Sequence, residues 1–401
     1  METSFMAGKR YLPLDGIKVL DLTRVRAGPT ATRQFVHWGA EVIKIESPAS
    51  LSEGNDMGGP RNGSDFQNLN GGKLSLTLNL KEQAGLDIFL KLVREADVVI
   101  ENYRPDVKQK LGIDYESLRQ INPRLVYASI SGFGQDGPYF KRPGFDQIVQ
   151  GMSGLMSING LPGTPFVRTG IAVADSVTGQ MCAQGVLLAL LERHRSGQGQ
   201  WVQVSLLETL INLLDFQAVR YLNEGEVPVQ VGNDHATRMP TGAYKTADGL
   251  MTICAAADRM WRKLCIEIDR EDLLTHPDFC DQAGRSGNRL RLNEELETAL
   301  SKRTTAEWVI RLNKIGVACG PVYRIDEMFE DDQVRHLNLV RKIQHSQLGN
   351  LNVLAQPIRL SESCPIETQP APVLGEHVEH VLSGMGLSPE DIASLRHQQI
   401  V

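Results

Sequence analysis

Cysteine is scarce in this sequence, and the few cysteines present follow no functional pattern. There are six among 401 residues, with no CxxC pair and no regular spacing: Cys182, Cys254, Cys265, Cys280, Cys319 and Cys364. A zinc site or a disulfide framework needs such a pattern, so we expect neither. Reduced thiols without a metal site are typical of a cytoplasmic protein, and this is the localisation that we predict.

Long apolar runs and an excess of positive charge are also lacking. The best apolar stretch, 186–191, is far shorter than the ~18–20 residues of a membrane span, and residues 1–10 contain no run that could serve as a signal peptide. The formal net charge of −6 leaves no general electrostatic footprint for nucleic acid. We therefore expect neither a membrane nor nucleic acid as a partner. An anionic ligand would have to bind at a local cluster of basic residues.

Strand and helix patterns alternate through the first third of the chain. Residues 17–22, 41–45 and 124–131 are short runs typical of buried strands. Residues 81–95 have apolar side chains at helical spacing, and the apolar run 98–100 follows them. Strands separated by helices of this length predict βαβ units, and hence an α/β fold with a parallel sheet covered by helices on both faces.

The second half of the chain has a different pattern. Helices are predicted over 176–194 and 205–222, and Ser205 with Glu208 has the spacing of a capping box at the start of the second. A polar, turn-rich segment, 223–240, follows. Beyond it, a strand and separate helices predict a smaller α+β unit. A length of 401 residues also suits two or three structural units better than one.

A glycine pattern of the nucleotide-binding kind follows the strand predicted at 124–131. Gly132, Gly134 and Gly137 have the G-x-G-x-x-G spacing, which in a dinucleotide-binding loop opens a helix whose N-terminus faces the pyrophosphate. Here Pro138 and Pro143 follow, and two prolines so close together disfavour an immediate helix. The segment is either a nucleotide loop or a glycine-rich turn that shapes another site, and both alternatives stay open.

Asp175 stands at the predicted start of the helix over 176–194. A carboxylate there faces the positive end of the helix dipole, which we expect to keep it ionised. It can be an ordinary N-cap, or a nucleophile that forms a covalent intermediate. Spacing alone does not separate these two roles.

Basic residues cluster just after the apolar run 98–100, at Arg104, Lys108 and Lys110. Open α/β sheets bind their ligands at the carboxyl ends of strands, and cations at that edge could hold phosphate groups. The alternative is a helix face that only contacts solvent. Arg26, in the turn after the first predicted strand, leaves the same two alternatives.

Taken in order, the blocks of this sequence resemble the class III CoA-transferases, also called the CaiB/BaiF family. The resemblance rests on PLDGIKVLDLTRVRAGPTATRQFVHWGAEVIKIE at 13–46, on RTGIAVADSVTGQMCAQGVLLALLERHRSGQGQ at 168–200, and on further blocks at 79–118, 122–139, 142–156, 316–322 and 374–386. In TRVRAGP, ENYRP and RTGIAVADSVTG, the chain looks closest to the branch that uses succinyl-CoA and dicarboxylates.

The resemblance implies an architecture and an activity. The large domain would be Rossmann-like and span 1–200, completed by 330–401; a linker helix would span 201–225, and a small α+β domain 226–329. Two chains would thread through each other into an interlocked homodimer, which is an exception to the rule that chains rarely thread loops. The implied activity is transfer of coenzyme A from an acyl-CoA to a free carboxylic acid, with CoA as a substrate and no tightly bound cofactor.

The resemblance also implies roles for individual residues. By its position in the matching block, Asp175 is the catalytic aspartate, which forms an acyl anhydride and then an aspartyl-CoA thioester. The residues implied to contact CoA are Arg26, Ala27, Asn70, Lys73, Asn102, Tyr103, Arg104, Lys110, Gly134 and Gln135. Arg168 and Arg238 are left over, and either could pair with the second carboxylate of a small dicarboxylate.

The sequence also departs from other branches of the superfamily. Arg26 stands where the formyl-CoA-transferase branch has a glutamine, so it could act on CoA or on the reacting carboxylate; Lys110 stands where that branch has an arginine. The racemase branch needs a histidine in its Gly-His-Asp segment, whereas this chain has Gly144, Phe145 and Asp146. Phenylalanine cannot move a proton, which disfavours racemisation. An acyl-CoA racemase, and a nucleotide-binding protein without transferase activity, are the alternatives.

Overall fold

The structure of the protein is a computed structural model that describes residues 12–51 and 59–401. The stretch 1–10, for which no signal peptide is predicted, lies outside the described residues. The described part of the chain divides into two compact units. Unit 1 comprises the residues up to Leu155, Thr169–Asp215 and Asn338–Val401, and unit 2 comprises Met156–Arg168 and Phe216–Leu337.

The described residues form eleven strands, eighteen α-helices and two short 3-10 helices, Ala49–Leu51 and Glu271–Leu274. The strands are β1 (Lys18–Asp21), β2 (Glu41–Glu46), β3 (Leu74–Thr77), β4 (Val98–Glu101), β5 (Val126–Ser131), β6 (Trp201–Ser205), β7 (Thr241–Lys245), β8 (Leu250–Cys254), β9 (Ala318–Pro321), β10 (Val340–His345) and β11 (Gly349–Leu354). The helices are α1 (Ala27–His37), α2 (Ser64–Asn70), α3 (Gln83–Glu95), α4 (Pro105–Leu111), α5 (Tyr115–Ile121), α6 (Asp146–Met152), α7 (Leu155–Ile158), α8 (Val173–Ser196), α9 (Leu206–Leu213), α10 (Phe216–Glu224), α11 (Asp258–Glu267), α12 (Gln282–Gly287), α13 (Arg289–Leu300), α14 (Thr305–Lys314), α15 (Ile325–Met328), α16 (Asp332–Leu337), α17 (Val378–Gly384) and α18 (Pro389–His397).

Unit 1 contains a six-stranded sheet whose strands are all parallel, in the order β3-β2-β1-β4-β5-β6. This is the strand order of the Rossmann fold. Each of the runs 17–22, 41–45, 98–100 and 124–131 contributes a strand to it. The predicted α/β class with a parallel sheet is therefore confirmed.

Apolar layers cover both faces of this sheet. Successive residues of a strand point to opposite faces, and Val19 and Leu20 of β1 accordingly belong to different clusters. Phe35 of α1 and Val186 of α8 pack in the layer of Val19, whereas Phe89 of α3 packs in the layer of Leu20. A strand buried on both faces is apolar along its length, which explains the run Val-Val-Ile in β4.

The C-terminal segment returns to unit 1. Leu382 of α17 and Ile400 pack in the layer of Leu20, and the backbone N–H of Asn79 donates to the carbonyl of Ile400 at 2.8 Å. The return starts at Asn338, and residues 330–337, which the sequence assigns to it, belong to unit 2.

Residues 201–205 differ from the predicted linker helix, because they form strand β6. Tyr127 of β5 lies opposite Trp201, and the pairing continues to Ser205. Ser205 then caps α9, where its side chain accepts the backbone N–H of Glu208, as the capping-box spacing predicts. The helix predicted over 205–222 is interrupted at Asp215, whose left-handed φ of +48° separates α9 from α10.

Unit 2 combines helices with a three-stranded antiparallel sheet in the order β7-β8-β9. Its own core contains Trp261 of α11, Leu296 of α13 and Trp308 of α14. Residues 156–168, which the sequence places in the large domain, also belong to this unit. Among the residues that the structure describes, none of the helices combines the length and the apolar character that a membrane crossing requires.

Candidate active site

The turn between β1 and α1 lies where the sheet changes direction. From β1 the chain builds the sheet outward through β2 and β3, and later in the opposite direction through β4, β5 and β6. Crevices at such a switch point, at the carboxyl ends of the strands, are where open α/β sheets bind ligands. Arg26 is the residue that precedes α1, and its guanidinium pairs with the carboxylate of Asp65 in α2 at 2.8 Å.

Asp175 lies in the first turn of α8, which leads into the amino end of β6, so the start of α8 is at the same edge of the sheet as the carboxyl ends of the strands. The residue before the helix is Ala172, and no side chain at that position caps it. Helix α8 begins at Val173, three residues earlier than the pattern predicts. Asp175 is therefore inside the helix and is not its N-cap.

Asp146, the first residue of α6, takes the capping role instead. Its Oδ1 accepts the backbone N–H of Ala174 at 2.8 Å and that of Asp175 at 3.3 Å. Its Oδ2 accepts a hydrogen bond from the side chain of Gln150 at 2.6 Å. Because Asp146 accepts these N–H groups at the start of α8, the carboxylate of Asp175 is not needed to cap the helix.

The charge of Asp175 is less favoured than its place at a helix start suggests. Burial raises the pKa of Asp175 to about 6, the negative charge of Asp146 adds to the rise, and Arg26 opposes it. The expected effect of the helix dipole does not dominate, because the side chain is half-buried and the helix N–H groups already face another carboxylate. The Asp175 carboxyl is still mostly ionised at neutral pH, but its pKa lies close to neutrality. A pKa raised in this way is typical of catalytic carboxylates.

Helices α1 and α8 touch directly beside this pair. Gly179 lies one turn after Asp175, and a Cβ added to it would be 2.4 Å from the carbonyl oxygen of Ala27. Ala27 is buried at the first position of α1. This close approach, which only glycine permits, holds the start of α8 against the start of α1, and hence Asp175 near Arg26.

Lys73 and Asn70 are turned inward, toward the core of unit 1. The Lys73 ammonium, which is fully buried, donates to Asp21 at 2.9 Å, to Thr32 at 2.7 Å and to the amide oxygen of Asn70 at 2.9 Å. Although burial opposes it, the attraction of Lys73 and Lys44 holds the pKa of the Asp21 carboxyl well below its usual range. Lys73 is thus the partner of a buried carboxylate, and its donors are not directed at a ligand.

The basic residues after β4 separate into two kinds. Arg104 and Lys110 are exposed at the two ends of α4, and Arg104 pairs with Asp106 at 3.3 Å. Lys108 is buried and donates to Glu101 at 2.7 Å and to the side-chain oxygen of Gln135 at 2.6 Å. The sequence pattern groups the three lysine and arginine residues together, but only Arg104 and Lys110 remain available to solvent.

Asn102 and Tyr103 face the protein. The Asn102 amide accepts the backbone N–H of Arg24 at 2.9 Å and donates to its carbonyl at 2.8 Å. The Tyr103 side chain packs against the apolar layer of Leu20, and burial raises the pKa of its phenol. Asn102 therefore binds the backbone of the turn before α1, and Tyr103 packs its ring in the apolar core.

The glycine segment after β5 does not open a helix. The next helix is α6, which begins at Asp146, so the nucleotide-loop alternative lacks the helix N-terminus that it requires. The turn folds back tightly instead, since a Cβ on Gly132 would be 2.6 Å from the Cα of Gly144. Gly134 has a φ of +102° and donates its N–H to Ser131 at 3.0 Å, and the side-chain nitrogen of Gln135 is buried without a partner in the described part of the chain.

Comparison with known proteins identifies the family of the chain. The profile described as CoA-transferase family III matches residues 14–378 of the chain. The chain belongs to CoA-transferase family III.

Related proteins cover nearly the whole length. The chain is 36% identical over 383 residues to succinate–glutarate CoA-transferase of Agrobacterium fabrum, with 93% of this chain and 96% of that protein covered. It is 37% identical over 369 residues to acetyl-CoA:oxalate CoA-transferase of Acetobacter aceti, with 91% and 93% covered. The crystal structure of a CaiB/BaiF family protein from Brucella suis has a TM-score of 0.81 at 33% identity, over 94% of this chain and all of that one. The protein is therefore a class III CoA-transferase.

Arg168 and Arg238 belong to unit 2 and both are exposed. Phe145, at the position of the racemase histidine, precedes α6 and has 44% of its surface exposed; it supplies no acid or base. Within 12–51 and 59–401, no three His, Cys, Asp or Glu side chains are grouped as a metal ion would need.

The sequence pattern misses two carboxylates of this region: Asp65, which pairs with Arg26, and Asp146, whose charge raises the pKa of Asp175. Asp146 caps α8, which begins at Val173, 27 residues later in the chain. Asp65, in α2, pairs with Arg26, which precedes α1. The only available signal is Asp146 itself in the block 142–156, where it directly follows the racemase-like position.

Proposed function

We propose that Asp175 carries the acyl and CoA groups between donor and acceptor. Its carboxylate attacks the carbonyl carbon of the donor acyl-CoA, the C–S bond breaks, and CoA leaves as a thiolate from a mixed anhydride. The thiolate then attacks the Asp175 carbonyl carbon of the anhydride and expels the donor acid as its carboxylate. An aspartyl-CoA thioester remains, and splitting the transfer in this way replaces one difficult step by several easier ones.

The acceptor acid runs the same steps in reverse. Its carboxylate attacks the thioester carbonyl, expels CoA thiolate and forms a second anhydride. The thiolate attacks the acceptor's carbonyl carbon, which gives the new acyl-CoA and frees the Asp175 carboxylate. Water has to be kept from both anhydrides, since hydrolysis would waste the acyl group.

The observation that carries this proposal is the environment of Asp175. Its carboxylate is half-buried at the ligand-binding edge of a Rossmann sheet, and another carboxylate, Asp146, does the capping. Asp175 therefore does not serve as the cap of α8. Arg26 supplies a nearby positive charge. This charge stabilises the ionised form of the attacking carboxylate, and it stabilises the negative charge that builds up on the donor acid as it departs.

Backbone N–H groups of the glycine turn at 132–137 are candidates to bind the oxyanion of each tetrahedral intermediate. Arg104 and Lys110, the exposed cations on α4, are candidates for the CoA phosphates. Lys73 is not proposed for this role, because its ammonium already donates to three oxygen atoms inside unit 1.

We propose small dicarboxylates as the acids, with succinyl-CoA as a donor. The names of the relatives support this class, since glutarate and oxalate are both dicarboxylic acids. Glutarate and oxalate differ in chain length, so the proposal concerns the class of dicarboxylic acids and not one acid. Arg168 and Arg238, exposed in unit 2, are the candidates to pair with the second carboxylate.

A homodimer is also part of the proposal, interlocked as the family resemblance implies. The chain by itself leaves apolar side chains in contact with solvent along α8 and α9, at Leu187, Leu188, Leu191, Ile211 and Leu213. Exposed apolar side chains on two neighbouring helices are typical of a surface that another protein covers.

The test is to incubate the enzyme with succinyl-CoA and a series of free acids and to follow new CoA thioesters by mass spectrometry. With hydroxylamine present, the active enzyme should acquire a hydroxamate on Asp175, detectable in the peptide that contains it. Asp175→Ala should abolish both turnover and labelling, and Asp15→Ala, at an exposed aspartate, serves as the matched control. Near-normal turnover in Asp175→Ala would sink the covalent mechanism.

The acid class is tested separately with glutarate and a monocarboxylate of equal length as acceptors. A preference for glutarate in kcat/KM that Arg168→Ala or Arg238→Ala removes supports the dicarboxylate proposal. Equal kcat/KM for both acids removes its basis and leaves the transferase activity untouched.

A further inference from the structure

The turn between β1 and α1 contains a strained residue. Val25 has a φ of +65°, in the left-handed region that glycine adopts freely and that a β-branched residue almost never does. Such outliers persist only where the surrounding structure imposes them, and they cluster at active sites. Val25 directly precedes Arg26, the cation beside Asp175.

The two residues before Val25 are held by side chains from three different places in the sheet. The backbone N–H of Thr23 donates to Asp21, in β1, at 2.9 Å. The ammonium of Lys44, in β2, donates to the Thr23 carbonyl at 2.8 Å. Asn102, just after β4, accepts the N–H of Arg24 and donates to its carbonyl.

Side chains therefore bond four consecutive backbone groups, the N–H and C=O of Thr23 and of Arg24. These bonds restrain the backbone of both residues. The other end of the turn is equally constrained. A Cβ on Gly28, in the first turn of α1, would lie 2.1 Å from the Cβ of Thr23, so α1 starts in close contact with the held residues. Val25 has to reverse the chain between two fixed ends, which accounts for its left-handed conformation.

We propose that this strained turn fixes Arg26, whose guanidinium pairs with Asp65 at 2.8 Å, beside the start of α8, where Gly179 approaches Ala27, and that Asn102 is the positioning residue that holds the turn, instead of a contact of CoA. The proposal rests on the role proposed for Asp175. Without the amide bonds, the backbone of Arg24 is no longer held by Asn102, and the valine should return to a negative φ, which relieves its strain. That change rotates the peptide that leads into Arg26 and carries the guanidinium away from the carboxylate.

Asn102 is poorly placed to bind CoA because its polar groups are already bonded. Its carbonyl oxygen and its amide nitrogen both bond the backbone of Arg24. A phosphate or amide of CoA that recruited the same groups would have to break these bonds first. The structure thereby gives Asn102 a role inside the protein that the family resemblance alone does not suggest.

The test is a double-mutant cycle. It removes the hydrogen bonds of Asn102 to Arg24 both when residue 25 is the strained valine and when it is glycine. Asn102→Leu, which keeps the size of the side chain, is made in the wild-type background and in the Val25→Gly background. In the wild-type background kcat should fall about tenfold or more, the factor expected from losing a pair of hydrogen bonds. In the Val25→Gly background the same substitution should cost much less, because glycine holds a positive φ without strain.

Crystal structures of the single variant and of the double variant give a readout that does not depend on activity. Residue 25 should leave the left-handed region in Asn102→Leu and stay there in the double variant. A left-handed residue 25 in Asn102→Leu overturns the proposal, whatever the mechanism of the reaction is. If Asn102→Leu does not fold, Asn102→Asp, which keeps the acceptor and loses the donor, replaces it in the same cycle.

The kinetic signature of a CoA contact is different. It predicts a higher KM for acyl-CoA and an equal loss in both backgrounds, whereas a positioning role predicts a fall in kcat with KM changed by less than about twofold. A rise in KM that glycine does not correct therefore also overturns the proposal. Failure of the Asp175 mechanism would be recognised separately, by turnover in Asp175→Ala.

Discussion

Asp175→Asn should make the protein more stable while abolishing transfer. Burial and Asp146 raise the pKa of Asp175 from 3.8 to about 6 in the folded protein, so ionisation of this group opposes folding. A shift of this size corresponds to at most about 3 kcal/mol. Since solvent reaches the half-buried side chain and screens its charge, we expect about 1–2 kcal/mol. For a unit of this size, that is a rise in Tm of roughly 2–5 °C.

The pH dependence of the gain has a definite sign. Below the pKa of the unfolded chain, Asp175 is protonated in both states, and the wild type and the variant should be equally stable. Between about pH 4 and 6, the folded wild type still holds the proton that the unfolded chain has lost, so wild-type stability falls as pH rises. The advantage of Asp175→Asn should therefore grow up to about pH 6 and be constant above about pH 7.

Thermal unfolding of both proteins, followed by circular dichroism between pH 4.5 and 8, measures this difference. Asp15→Asn, at an exposed aspartate of unit 1, is the control and should shift Tm equally little at every pH. A less stable Asp175→Asn, or a difference that does not change with pH, would refute the reasoning from burial and repulsion. An asparagine cannot form the anhydride, so loss of turnover accompanies the gain in stability if Asp175 is the nucleophile.

Three other substitutions test the site from different directions. In the wild type, kcat/KM should fall as pH drops through the Asp175 pKa of about 6. Asp146→Asn should move this fall to lower pH, because the substitution removes a negative charge beside Asp175. An unchanged pH profile would show that the charge of Asp146 does not affect the pKa of Asp175. Lys73→Met should lower the free energy of unfolding by about 3–5 kcal/mol, since it leaves Asp21 buried and unpaired, with little change in KM for acyl-CoA; a raised KM in an equally stable protein would restore the CoA contact that the resemblance implies. Gly179→Ala should lower kcat, because its Cβ would be 2.4 Å from the Ala27 carbonyl oxygen and force α8 away from α1. Gly384→Ala, where a Cβ meets nothing within 4 Å, should leave steady-state kinetics unchanged.

The architecture of unit 1 was readable in the sequence because it depends on local periodicity. A strand buried on both faces has to be apolar along its length, and β4 is predictable for that reason. Strand β6 shows the limit of such reasoning. The stretch WVQVS suits a strand as well as the start of a helical region, and only the free edge of β5, which accepts it in parallel register, decides between them.

The basic residues show the same limit for the site. Lys73, Lys108 and Lys110 cannot be distinguished by composition or spacing, since each is a lysine near a predicted strand or helix end. The buried carboxylates Asp21 and Glu101 bind the first two, and the third remains exposed. A lysine can be assigned to a ligand only when its distance to every carboxylate of the fold is known.

From the sequence we could predict that the chain is an α/β protein and where four of its six parallel strands lie, and the ordered blocks of a family led to the prediction that Asp175 is the catalytic residue. These properties follow from residues a few positions apart or from the order of motifs, and neither needs three dimensions. Only the folded structure shows that Asp146 caps α8, that Arg26 pairs with Asp65, and that Val25 has a left-handed backbone. Hydrogen bonds, burial and charge act between side chains that the folded chain brings together from distant positions, such as Arg24 and Asn102, 78 residues apart, and no local pattern records them.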